Sequence, residues 1–254
     1  MQLRILGCSG GIGGTLQTTS MLVDRDVLID AGTGVTHLTL SELEEIDHVF
    51  LTHAHLDHIA ALPLIVDTVG PIRKRPITVH CLPLVKKSLQ EHIFNWKIWP
   101  DFGQIPSKEE PLLLWHTIEV GETVDLDGRK LTALPANHTV PAIGYRLSSG
   151  ESSLVFTGDT TTNDALWKAV NAIEDLRYLI IETAFPNAER ELAVQSKHLC
   201  PSLLAQELEK LDRRVQIFVT HLKPGEGTQT MAEIEEDASK FCPRMLANGQ
   251  VFRF

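Results

Sequence analysis

Apolar and turn-forming positions alternate from the first residues. Leu3–Leu6 leads into the glycine-rich stretch Gly7–Gly14, followed by Thr19–Val23, a short turn and Val27–Asp30. Runs of this length, bounded by Gly and Asp, predict strands joined as a meander rather than a strand–helix–strand unit. The glycines lack the spacing of a dinucleotide-binding turn and run into a strand instead of a helix, so that reading is excluded. A helix is predicted over Val35–Leu43, a buried strand over Val49–Leu51 and helix again from about Ile59. Further strands are expected at Ile77–His80, Leu131–Pro135, Ile143–Leu147, Leu154–Thr157, Tyr178–Ile181 and Val215–Thr220. Helices are expected at Leu84–Phe94, Asp164–Ala172, Pro201–Leu211 and Met231–Phe241. A meander followed by mixed β and α predicts an α/β protein, two sheets packed face to face with helices outside.

Composition narrows this picture. The 254 residues are 43% hydrophobic and 22% charged, enough apolar material for a large core, and residues 1–254 are read as one domain. The net charge of −10 disfavours a nucleic-acid partner, because it repels a polyanion over most of the surface. A small anionic substrate is easier to accept, since bound divalent ions make one place locally positive. No segment has the length and apolarity to span a bilayer, so no membrane partner is expected. Met1–Gly7 lacks the long apolar run of a secretory signal, and Cys8, Cys81, Cys200 and Cys242 show no framework spacing. Reduced thiols in a cytoplasm are the expectation. Residues 96–111, with Trp96, Trp99 and Phe102, read as a long ordered loop that packs its own aromatics; an active-site rim and a homodimer contact are the functional alternatives.

The chemistry is concentrated in Thr52-His53-Ala54-His55-Leu56-Asp57-His58, four ligand-type side chains within six residues after an apolar strand. A sharp strand-to-helix turn would let His53 and His55 converge on one ion while Asp57 and His58 reach a second. Three later residues, His138, Asp159 and His221, share the same setting at predicted strand ends. In a two-sheet fold those ends meet at one edge. A carboxylate such as Asp159 suits a bridging role, one oxygen for each metal, with room left for a shared water. Zinc is the default for such donors, and manganese or iron also suit them. His37, His48, His80, His92 and His116 lack this placement and are read as ordinary imidazoles.

With these residues in hand, the chain resembles the metallo-β-lactamase superfamily, whose His-x-His-x-Asp-His motif with a later His, Asp and His matches positions 53, 55, 57, 58, 138, 159 and 221. The resemblance implies an αββα sandwich of two mixed sheets. It also implies a supporting role for Asp30 in Leu28-Ile29-Asp30-Ala31-Gly32. Within the superfamily, His55-Leu56-Asp57-His58, the opening Leu6-Gly7-Cys8-Ser9-Gly10-Gly11, Phe94–Phe102 and Thr220-His221-Leu222-Lys223-Pro224 are similar to class II cyclic-nucleotide phosphodiesterases. Ala61 and Pro63 depart from that pattern, which usually has a small Gly or Ser and an aliphatic residue there. Leu62-Pro63 is similar to transfer RNA 3′-end processing nucleases.

The implied activity is hydrolysis of a 3′,5′-cyclic nucleotide, cyclic AMP or cyclic GMP, to the 5′-nucleotide with two divalent ions. Asp57 would both ligate and orient the attacking water. His198, before the helix starting at Pro201, resembles the extra non-ligand histidine of superfamily phosphodiesterases and is expected as general acid or phosphate contact. Glu182, after Tyr178–Ile181, is expected to fix an imidazole. The alternatives are an RNA-processing nuclease and a non-hydrolytic di-iron redox or sensor protein.

Overall fold

The computed structural model describes residues 1–254. Strands β1 (Gln2–Gly7), β2 (Ser20–Val23) and β3 (Val27–Ala31) form the expected antiparallel meander. After α1 (Leu40–Glu45), β4 (His48–Phe50) pairs parallel with β3. Helices α2 (Leu56–Ile59) and α3 (Leu62–Val69) lead to β5 (Ile77–Cys81), and α4 (Pro83–His92) precedes β6 (Leu113–Thr117). The second sheet begins with β7 (Thr123–Leu126), β8 (Arg129–Pro135), β9 (Ile143–Ser148) and β10 (Ser153–Phe156). It continues through α5 (Asp164–Asn171), β11 (Leu176–Glu182), α6 (Arg190–Ser196), α7 (Pro201–Leu208), β12 (Gln216–Thr220), α8 (Gly227–Asp237) and β13 (Arg244–Met245). The last strand, β14 (Val251–Arg253), returns to the edge of the first sheet. The sheets have seven strands each, ordered β14-β1-β2-β3-β4-β5-β6 and β13-β12-β11-β10-β9-β8-β7.

Three apolar layers hold these elements together. One lies between the sheets, where Leu3, Ile5, Met21, Ile29 and Phe50 face Ile143, Tyr145, Phe156, Ile180 and Phe218. A second packs α3 and α4 on the outer face of the first sheet, and a third packs α5, α7 and α8 on the second. Each fully buried Leu, Ile or Phe contributes about 1.5–3 kcal/mol of transfer free energy. The middle layer also locates the site: Tyr145 is fully buried, and its hydroxyl donates to the Leu51 carbonyl at 2.8 Å, tying the second sheet to the segment just before His53.

Several boundaries differ from expectation. The helix expected over Val35–Leu43 is split into a 3₁₀ turn at Thr33–His37 and α1, because Leu38 is extended and Thr39 with Glu42 forms a capping box that starts a new helix. The helix expected from Ile59 is two, α2 and α3, with Pro63 in the first turn of α3. Helix α8 begins and ends about one turn earlier than Met231–Phe241. Strands β6, β7, β13 and β14 and helix α6 were not predicted. The four cysteines are unpaired, and no helix is long and apolar enough to cross a membrane. In the aromatic loop, Phe94 and Phe102 are buried near Trp115, while Trp96 and Ile98 are exposed.

Three of the histidines read as ordinary imidazoles are linked across neighbouring strands. His48 Nδ1 lies 3.0 Å from His80 Nε2, and His80 Nδ1 lies 3.0 Å from His116 Nδ1. His80 is buried and stacked on Phe50, and burial, with the two flanking imidazoles, holds its pKa down to about 3. An unfolded histidine takes up its proton near pH 6.5, so His80 stabilises the fold above that value and its contribution is lost as pH falls from there toward 3. The limiting slope is about 1.4 kcal/mol per pH unit. His80→Gln should therefore flatten the pH dependence of unfolding free energy, read by denaturant titration at pH 7 and pH 5. Equal slopes in parent and variant would refute the assignment.

Candidate active site

Asp30 organises the histidine motif from below. It is the second-last residue of β3, in a left-handed backbone conformation (φ 55°), and is fully buried. Its Oδ1 accepts from the Thr52 amide and its Oδ2 from the Thr52 hydroxyl, each at 2.8 Å, and Oδ2 also accepts from His58 Nδ1 at 2.7 Å. Because the Thr52 hydroxyl donates to Asp30, its oxygen accepts from His53 Nδ1 at 3.0 Å. One carboxylate thus fixes two tautomers, leaving the Nε2 lone pairs of His53 and His58 free. Gly32 permits this close packing, since a Cβ there would stand 2.2 Å from the Asp57 carbonyl oxygen.

The strand ends of the second sheet bring in the later residues. His138 follows β8, and its Nδ1 donates to the Lys197 carbonyl at 3.1 Å, which turns Nε2 inward. Lys197 closes α6 with φ 54°, and its ammonium donates to the His138 carbonyl at 3.0 Å. Asp159 follows β10 and is buried; His221 follows β12 and is buried. The glycine-rich loop reaches His221 from the other side. A Cβ on Gly10 would lie 2.8 Å from His221 Nδ1 and 2.5 Å from its carbonyl oxygen.

All seven ligand-type residues converge. His53, His55, His138 and Asp159 form one group able to hold a metal ion, Asp57, His58 and His221 another, and Asp159 and His221 also group with His198. A single oxygen, Asp159 Oδ2, faces both, rather than one oxygen facing each. It lies 3.6 Å from His53 Nε2, 3.5 Å from His58 Nε2, 3.9 Å from His138 Nε2 and 3.2 Å from His221 Nε2. Asp57 Oδ2 is 3.2 Å from His221 Nε2, and His55 Nδ1 is 3.2 Å from His138 Nε2. Four donors about 2.0–2.1 Å from a tetrahedral ion stand roughly 3.4 Å apart, so these spacings suit shared ions. The Nε2 atoms of His53 and His58 are buried without a hydrogen-bond partner, a costly arrangement that a divalent ion would relieve. The donor set therefore fits a divalent metal.

Electrostatics agree. Burial pushes His53 well below the usual histidine range and His138 down to about 4, outweighing the Asp159 carboxylate that opposes it, so both are neutral donors. At His58 burial opposes charge, yet Asp159 and Asp30 outweigh it and raise the pKa.

The other two expected residues form a pair beside this cluster. Glu182 ends β11 fully buried, and its Oε1 accepts from His198 Nδ1 at 2.8 Å and from the Thr160 amide at 3.1 Å. Burial disfavours charge on His198, but Glu182 and Asp159 outweigh it and raise its pKa. The His198 ring stacks on His221 with centroids 5.1 Å apart. Thr52, Lys197 and Gly10 were not singled out as site residues. Thr52 had a signal, its place directly before His53, whereas the Lys197 carbonyl that turns His138 is a backbone group any residue type carries, and the contact of its ammonium with the His138 carbonyl spans 59 positions of sequence.

Residues 25–235 match the family described as the β-lactamase superfamily domain. The chain is 25% identical over 207 residues to a probable 3′,5′-cyclic-nucleotide phosphodiesterase of Yersinia pestis, covering 71% of this chain and 58% of that one. It is 34% identical over 109 residues to a nuclear ribonuclease Z of Triticum aestivum, covering 42% of this chain and 58% of the relative. The chain thus spans somewhat over half the length of these relatives. Among solved structures, the metallo-β-lactamase fold protein YhfI of Bacillus subtilis superposes with a TM-score of 0.76 at 18% identity, over 99% of this chain and 98% of that one. With two helix-covered sheets, a family match across most of its length and the His and Asp clusters at one edge, the chain belongs to the β-lactamase superfamily and has the metallo-β-lactamase fold.

Proposed function

We propose that the chain hydrolyses 3′,5′-cyclic nucleotides to 5′-nucleotides, using two divalent ions, zinc by default. The observation that carries this reading is the shared Asp159 Oδ2 between two donor groups, with the His198–Glu182 pair alongside. His53, His55, His138 and Asp159 would hold one ion, and Asp57, His58, His221 and Asp159 the other. Such ions supply, when bound, an activated water at neutral pH and charge neutralisation at the phosphoryl group. Asp57, half-buried beside the cluster, is the carboxylate suited to orient that water. Water adds to phosphorus as the bond to the 3′ oxygen breaks, and His198 delivers a proton to that oxygen while Glu182 holds its ring.

The net charge of −10 and the Yersinia relative support a small substrate over RNA. The wheat relative favours an RNA-end nuclease as the second reading. The test is incubation of zinc- or manganese-loaded protein with cyclic AMP and cyclic GMP, with product identification and a His55→Ala control. Formation of 5′-AMP or 5′-GMP, lost in the control, is expected. No turnover of either nucleotide, with salt-sensitive cleavage of precursor transfer RNA, would replace this reading by the second.

A further inference from the structure

Lys223 is an ammonium with no acidic partner in a chain where acids outnumber bases by 33 to 23. It follows His221 by two residues, and its amide donates to the Ala184 carbonyl, which fixes its backbone beside the end of β11. Its Nζ donates to the Gly10 carbonyl at 2.9 Å and stands 5.7 Å from the centre of the Phe185 ring. No carboxylate oxygen lies within 4 Å of it, and its one side-chain hydrogen bond goes to a neutral carbonyl. An ammonium has three donors, and Gly10 uses one. The surroundings are those of the candidate active site. Gly10 packs against His221, the Phe185 ring is 5.8 Å from the His198 ring, and His198 stacks on His221.

A half-buried cation held by a neutral carbonyl and an aromatic face keeps most of its charge unneutralised. Placed next to a cluster that would bind a phosphoryl group, it is suited to attract the same anion. We propose that Lys223 is a substrate-contact residue, its Nζ reaching a non-bridging phosphoryl oxygen on the His198 side. The inference rests on the phosphodiesterase reading above. It makes the site selective for anionic esters over neutral ones, and gives product phosphate monoesters a second cationic contact besides the ions.

The test uses metal-loaded protein and two readouts, calorimetric binding of inorganic phosphate and steady-state hydrolysis of cyclic AMP. Lys223→Gln removes the charge while keeping a donor able to meet Gly10, Lys223→Met removes both, and Lys223→Arg keeps the charge. Gln and Met should each weaken phosphate binding and raise KM by roughly 10- to 100-fold, the range of one charged hydrogen bond, with metal content unchanged. Arg should recover most of the loss. Phosphate affinity unaltered in the Gln variant, or weakened only together with loss of metal, would overturn the proposal and leave Lys223 as a tether for the glycine loop. Phosphate binding weakened in the Gln and Met variants of a parent that hydrolyses no cyclic nucleotide would sustain the contact while refuting the hydrolase reading.

Discussion

On the proposed phosphodiesterase reading, Asp159→Ala should strip the protein of both ions and lower kcat/KM for cyclic AMP by roughly 10³-fold or more, about 4 kcal/mol of transition-state stabilisation. The expectation follows from one atom. Asp159 Oδ2 is 3.2–3.9 Å from the Nε2 atoms of His53, His58, His138 and His221, so its removal takes a donor from both groups at once. It also removes the negative charge that makes four neighbouring imidazoles able to share a small volume with cations. Losing His55 instead takes a donor from one group only. Metal analysis of dialysed protein distinguishes the cases: Asp159→Ala should retain well under one ion per chain, and His55→Ala more. Asp159→Asn, which keeps the shape but not the charge, should resemble the alanine variant. Full metal content in either Asp159 variant would show that the bridging geometry does not govern metal retention.

The legible part of this site is the part carried by side-chain type at strand ends. His53, His55, Asp57 and His58 sit together in sequence, and His138, Asp159 and His221 each follow an apolar run, so period-two patterning and ligand chemistry point to the same positions. Glu182 and His198 were legible singly, but their 2.8 Å contact depends on α6 ending at Lys197 in a left-handed turn, which no pattern announces for a non-glycine residue. The glycine stretch was readable as a turn; its use, a bare Cα at Gly10 against the His221 ring, needed the 210 intervening residues to be folded. Edge strands fared worst. Strand β7 is partly or fully exposed along its length and β14 has a single buried residue, so neither shows the apolar run that betrayed β3, β4 and β12. The split at Leu38 shows a local signal, the Thr39–Glu42 capping box, overriding a helical apolar pattern that spans it.

On the same proposed reading, His198→Ala should lower kcat for cyclic AMP by about 10²- to 10⁴-fold while leaving both ions in place. Its Nδ1 is committed to Glu182, which leaves Nε2 as the atom available to a leaving oxygen, and the ring is held between His138 and His221. A ribose 3′ alkoxide leaves poorly without a proton, whereas p-nitrophenolate leaves readily. If His198 acts as general acid, His198→Ala should lose far less activity on bis(p-nitrophenyl) phosphate than on cyclic AMP. If it only contacts phosphate, the two substrates should suffer alike, with the loss expressed in KM. Glu182→Gln belongs to the same experiment, because Glu182 acts through His198. It should reproduce the pattern at roughly 10- to 100-fold, the usual scale for a group that orients another. A Glu182→Gln variant with unchanged kcat would mean that the Lys197 turn, and not the buried carboxylate, is what aims the imidazole.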